Sequence, residues 1–143
     1  MQYGAGMIDA RAALWVIKND NFTYTTGTLS NSVTIKTYSM TVTSSDTCMR
    51  IALAYANRIK YATGEEHSLD NIPATAVPIA EVGLAIFAPD GQMVAAYTGT
   101  TGANLKIVEF DPREYGTGTY TIQVALSVPR EDGENTNFGV AWR

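Results

Sequence analysis

Met49-Arg50-Ile51-Ala52-Leu53-Ala54-Tyr55 sets Met49, Ile51, Leu53 and Tyr55 against Arg50, Ala52 and Ala54, with Cys48 extending the second set. Successive side chains of a strand point to opposite faces, so a period of two with the larger apolar groups on one side marks a strand with one face in a core. The same alternation returns in Val82, Leu84 and Ile86, in Tyr120, Ile122, Val124 and Leu126, and in Phe138, Val140 and Trp142. Runs rich in Thr, Val, Ile and Tyr, separated by Gly, Asn, Asp and Pro, predict strands over 22–28, 33–44, 47–57, 80–88, 93–98, 104–110, 118–128 and 136–142. Pro89-Asp90-Gly91 supplies a tight turn between two of them, the clearest hairpin in the chain. Short turns join neighbouring runs and no helical pattern comes between them, which excludes parallel βαβ units. The expectation is an all-β fold, an antiparallel β-sandwich of jelly-roll or Greek-key type with about eight strands.

Ahead of the strands, residues 9–18 read as one short N-terminal α-helix. Asp9 can cap it, alanine and leucine fill it, Lys18 sits in its last turn, and Asn19 and Asp20 stop it. Ala10, Ala13, Leu14 and Ile17 share one face, and Ala12, Trp15 and Val16 make the adjacent face apolar too, so the helix expects neighbours on two sides. Between 58 and 78 the text is polar and broken by Gly64, Pro73 and Pro78, a link long enough to be either functional or mobile.

At 143 residues the chain has room for one domain with a sizeable core. Hydrophobic residues at 45% and charged ones at 17% exclude a disordered chain, and no apolar run is long enough to span a bilayer. A net charge of −4 gives no basic footprint, so neither nucleic acid nor a membrane surface is an expected partner. The single cysteine, Cys48, has no internal partner and reads as a small buried hydrophobe.

The catalytic and ligand chemistry sought in the sequence is mostly missing. One histidine, His67, lies between Glu66 and Ser68 in the polar link, with no nucleophile segment to pair with, and reads as a surface residue. Glu65, Glu66 and Asp70 share that link, and Glu131, Asp132 and Glu134 share the turn at 129–135, but neither group has the alternating spacing of a compact calcium loop. Both read as solvated charge, with calcium kept as the one cofactor alternative. Tyr97, Tyr115 and Trp142 are the aromatic rings that could stack on sugars, and tyrosine in a β-rich chain more simply bridges core and surface. No residue is assigned as catalytic, cofactor-binding or metal-ligating.

Two stretches resemble known families in a telling order. Tyr3-Gly4-Ala5-Gly6-Met7-Ile8-Asp9-Ala10-Arg11-Ala12-Ala13-Leu14 resembles the segment that closes the catalytic domain of subtilisin-like serine proteases, where Gly-x-Gly-x-x-Asn/Asp-Ala leads into a final helix. From about Ser30 to Arg143 the chain is similar to the β-sandwich appended to many secreted subtilases, the P-domain and pre-peptidase C-terminal families. Three stretches carry the second likeness: Met49 to Tyr55; Val82-Gly83-Leu84-Ala85-Ile86-Phe87-Ala88-Pro89-Asp90-Gly91; and Gly118-Thr119-Tyr120-Thr121-Ile122-Gln123-Val124 with Phe138-Gly139-Val140-Ala141-Trp142. Where many members carry Asp-Leu-Asp before the hairpin, this chain has Glu81-Val82-Gly83, so the family's metal ligands are not carried over.

The resemblance implies a division into 1–20, the end of a peptidase domain, and 21–143, a non-catalytic C-terminal sandwich that stabilises the catalytic unit or positions protein substrate. It implies a secreted or cell-surface location, and as partners the catalytic domain of the same parent chain and a protein or peptide substrate. This chain, lacking the triad, is then inactive alone, and its severed helix covers the sandwich, pairs with another copy into a homo-oligomer, or frays. The alternative is a free-standing carbohydrate-binding or adhesion module.

Overall fold

The computed structural model describes residues 22–55, 80–97, 104–129 and 133–143. These form eight strands: β1 (Thr23–Leu29), β2 (Ile35–Val42), β3 (Met49–Tyr55), β4 (Glu81–Phe87), β5 (Met93–Tyr97), β6 (Leu105–Phe110), β7 (Gly118–Val128) and β8 (Thr136–Trp142). The one helical piece among the described residues is a 3-10 turn at Pro112–Glu114. The helix expected over 9–18 lies outside them, as does the link from 58 to 78.

Two antiparallel four-stranded sheets result, sheet A in the order β1-β8-β3-β6 and sheet B in the order β2-β7-β4-β5. Only β4 and β5 are neighbours both in sequence and in a sheet; every other consecutive pair lies in opposite sheets. The expectation of short turns between adjacent runs therefore holds for one hairpin, and crossing links interleave the rest in jelly-roll order. In the hairpin, Gly91 takes φ 88° and donates its N–H to the Ala88 carbonyl at 2.9 Å, while Asp90 Oδ1 accepts from Gln92 N at 2.9 Å. Only glycine adopts that left-handed conformation without cost.

The expected strand at 33–44 overshoots at both ends and that at 47–57 at its start; residues 56 and 57 lie outside the described residues. Val33 N bonds back to the Ser30 carbonyl in a turn, and Thr43 N donates to Asp46 Oδ2, so local turns take the backbone groups that a longer ladder would need.

Between the sheets, Met49, Ile51, Leu53 and Tyr55 meet Val82, Leu84, Ile86, Tyr120, Ile122 and Val124, all buried. Rings lock the two layers together: Tyr38 of β2 packs edge-on to Phe138 of β8 at 6.3 Å, and Phe110 of β6 stacks on Tyr120 of β7 at 5.5 Å. Tyr120 Oη finds its buried-end partner in the Gly116 carbonyl, 2.6 Å away. Cys48 departs from expectation: it precedes β3 by one residue, shares the outward side with Arg50, and is exposed.

Candidate interaction surface

Antiparallel registers fix which side chains stand side by side on the solvent face of sheet A. Tyr24 pairs with Ala141, Ala141 with Ala52, and Ala52 with Ile107, giving one row across all four strands. The next row runs Thr26, Gly139, Ala54, Leu105. The two central strands thus offer only alanine and glycine, and the edge strands rise beside them as larger side chains. The outcome is a depression of about 330 Å³ whose lining includes Phe22, Tyr24, Ala52, Ala54, Leu105 and Ala141. Tyr24 is 70% exposed, Ile107 50% and Leu105 45%. A third row carries charge: Arg50 pairs across to Glu109 through an Nε to Oε1 contact, and Arg143 exchanges backbone hydrogen bonds with Arg50. Single exposed apolar residues are ordinary, but contiguous ones on a floor of small residues make this face the candidate contact surface of the described residues.

The opposite, inward side of sheet A holds a second cluster. Lys106 and Glu81 are 1% and 2% exposed and form an ion pair linking β6 of sheet A to β4 of sheet B. Tyr55 Oη donates to Glu81 Oε2 at 3.4 Å, and Lys106 Nζ lies 5.7 Å from the Tyr55 ring centre and 5.2 Å from that of Tyr97. Burial, then the neighbouring Glu81 carboxylate, pushes the Tyr55 phenol up to about 12. The register of β4 on β7 shifts between Glu81 and Val82, which suspends strict alternation, and both residues are buried. An enclosed cation, anion and phenol in contact with one another tie the sheets together at the end where β3 and β5 finish and β4 and β6 begin. Close by in the fold, at the start of β8, Thr136 Oγ1 is buried without a hydrogen-bond partner.

The residues weighed from sequence fall as follows. His67, Glu65, Glu66, Asp70, Glu131 and Asp132 lie outside the described residues, and Glu134 is exposed. Among the described residues no three His, Cys, Asp or Glu side chains gather as metal ligands would. Tyr97, Tyr115 and Trp142 are half-buried and pack on the core, Tyr115 edge-on to Phe110 at 6.3 Å. Pro89-Asp90-Gly91 is a turn. Trp142 also lines a groove of about 620 Å³ with Phe22, Asp46 and Arg143, at the end of the sandwich opposite the ion pair.

Neither the sheet A face nor the Glu81–Lys106 pair was singled out from sequence. A signal for both exists in β6: Lys106 shares its side of the strand with Val108 and Phe110, so the strand that buries Val108 must also bury Lys106 and turn Leu105 and Ile107 outward.

The fold and the surface together describe a β-sandwich with an apolar outer face and no helix, among the described residues, long and apolar enough to cross a membrane. No family model and no curated protein matches the chain. Among solved structures it is similar to PliG of Aeromonas hydrophila, a periplasmic lysozyme inhibitor of g-type lysozyme, at 12% identity over 85% of this chain and 83% of that one, with a TM-score of 0.46.

Proposed function

We propose that this chain is a non-catalytic C-terminal accessory domain of a subtilisin-like serine endopeptidase, secreted or held at the cell surface, whose sandwich rests on its catalytic unit through the outer face of sheet A. The observation that carries the reading is the pair of apolar rows, Tyr24 to Ile107 and Thr26 to Leu105, over a floor of alanine and glycine. Contiguous exposed apolar side chains of this kind suit a contact with another protein surface. The glycine-rich lead and helix stretch at 3–14 supports the protease parent. The reaction of that parent, peptide hydrolysis, would be performed by its catalytic domain.

The deciding experiment reads the gene upstream of Met1. An Asp, a His and a Gly-Thr-Ser segment in frame there support a protease tail; an unrelated module or a start signal sinks it. The alternative, a carbohydrate-binding or adhesion module, has one observation of its own, the groove in which Phe22 and Trp142 stand with Asp46 and Arg143. Binding on a glycan array that Trp142→Ala removes would favour that reading.

A further inference from the structure

The preceding segment of the chain joins the sandwich at the rim of the sheet A depression. Phe22 itself lines that depression, and its ring lies 5.9 Å from that of Tyr24. Only residues 19–21 separate Phe22 from the helix expected over 9–18. Three extended residues reach about 10 Å, which would keep a helix over 9–18 close to the rim. Consecutive elements on so short a link ordinarily lie side by side, so a helix over 9–18 would return along β1.

Dimensions and composition agree with such a return. Ten helical residues are about 15 Å long, within the roughly 23 Å of a seven-residue strand such as β1. Ala10, Ala13, Leu14 and Ile17 recur at the spacing of a single helical stripe running the length of the segment. Ala52, Ala54, Gly139 and Ala141 form the floor, which would let a helix axis approach closely, with room for side chains the size of Leu14 and Ile17 between Tyr24 and Ile107. A ten-residue helix is marginal in water and needs such a seat to persist.

We propose that residues 9–18 dock as a helix in the depression on sheet A, with the stripe Ala10, Ala13, Leu14 and Ile17 against the sheet. Ala12, Trp15 and Val16, roughly opposite that stripe at 3.6 residues per turn, would then face away. On the protease reading above, that second stripe is what the catalytic unit covers, and the helix becomes the piece shared between the two bodies. The docking does not depend on that reading.

Hydrogen exchange on the full 143-residue chain tests it. The amides of 13–18 should exchange about tenfold or more slower than in a free peptide of the same sequence. Ala54→Arg, a charge set on the exposed floor, and Leu14→Asp should each return them to the peptide rate while β4 and β7 stay protected. Trp15→Ser, on the other stripe, should leave them protected. Peptide-like exchange in the parent chain, or protection that survives both Ala54→Arg and Leu14→Asp, overturns the docking. Protection that grows with protein concentration, together with a doubled mass by light scattering, overturns it in favour of a second copy as the occupant. The upstream reading frame decides the protease parent separately: docking with no triad upstream would sink that parent and keep this inference, and a triad with no docking would do the reverse.

Discussion

Lys106→Met should be among the most damaging single substitutions in this sandwich. The side chains of Lys106 and Glu81 are 0% and 3% exposed, so removing the ammonium leaves a carboxylate sealed between the sheets with only the Tyr55 hydroxyl as a described donor. Breaking a buried pair from one side costs about 3–5 kcal/mol, because the survivor cannot regain water. That is a large share of the roughly 5–15 kcal/mol by which domains of this size are stable. At about 4 °C per kcal/mol for a chain of this length, the melting temperature falls by roughly 12–20 °C. The control shares strand β6: Arg50 of β3 and Glu109 of β6 pair in solvent, with side chains 54% and 48% exposed, and Arg50→Ala should cost no more than about 1 kcal/mol. Combining Lys106→Met with Glu81→Leu removes both charges, and most of the stability should return. Urea unfolding followed by circular dichroism gives all four values. A loss below about 1 kcal/mol for Lys106→Met, or a double variant no better than the single one, would show that water reaches the pair and that the burial argument is wrong.

Three further outcomes follow from the geometry. The Tyr55 phenol is held up to about 12 against an ordinary 10, so its contribution to stability is complete below pH 10 and is lost as pH rises toward 12. Alkaline unfolding should therefore be less steep in Tyr55→Phe, and equal slopes would refute the assignment. Asp111 accepts from Arg113 Nε and from Arg113 N at the cap of the 3-10 turn, which holds its carboxyl down to about 2. Its contribution is present above the usual value of 3.8 and is lost as pH falls through about 2; because the backbone N–H at 113 still donates, an NMR titration of Arg113→Ala should find the carboxyl raised only part of the way toward the usual value. A Cβ at Gly27 would stand 2.5 Å from Phe138 Cζ and 2.8 Å from Tyr38 Oη, so Gly27→Ala should cost about 1–3 kcal/mol, with Phe138→Leu in the same chain restoring part of it in a thermal melt.

Legibility in the sequence tracked the kind of force at work. β3, β4, β7 and β8 were readable because each buries one face against the other sheet, and burial writes a period of two into the residues. Strand ends at 33–34 and 43–44 were misread because turn hydrogen bonds at Ser30 and Asp46 leave no trace in hydrophobic alternation. Cys48 reads as buried from its residue type, but its side of the strand, shared with Arg50, decides its exposure. The sheet A surface failed to stand out for the opposite reason. Its floor is made of Ala52, Ala54, Gly139 and Ala141, residues that look like filler between the core positions of β3 and β8, and its walls come from β1 and β6, far away in sequence. Register alone assembles them into rows, and a one-residue slip of β8 against β3 would put Phe138 and Val140 on the solvent side and dissolve the depression. The core and the outer face of sheet A are therefore one specification: the same pairing that buries Phe138 beside Tyr55 sets Gly139 beside Ala54.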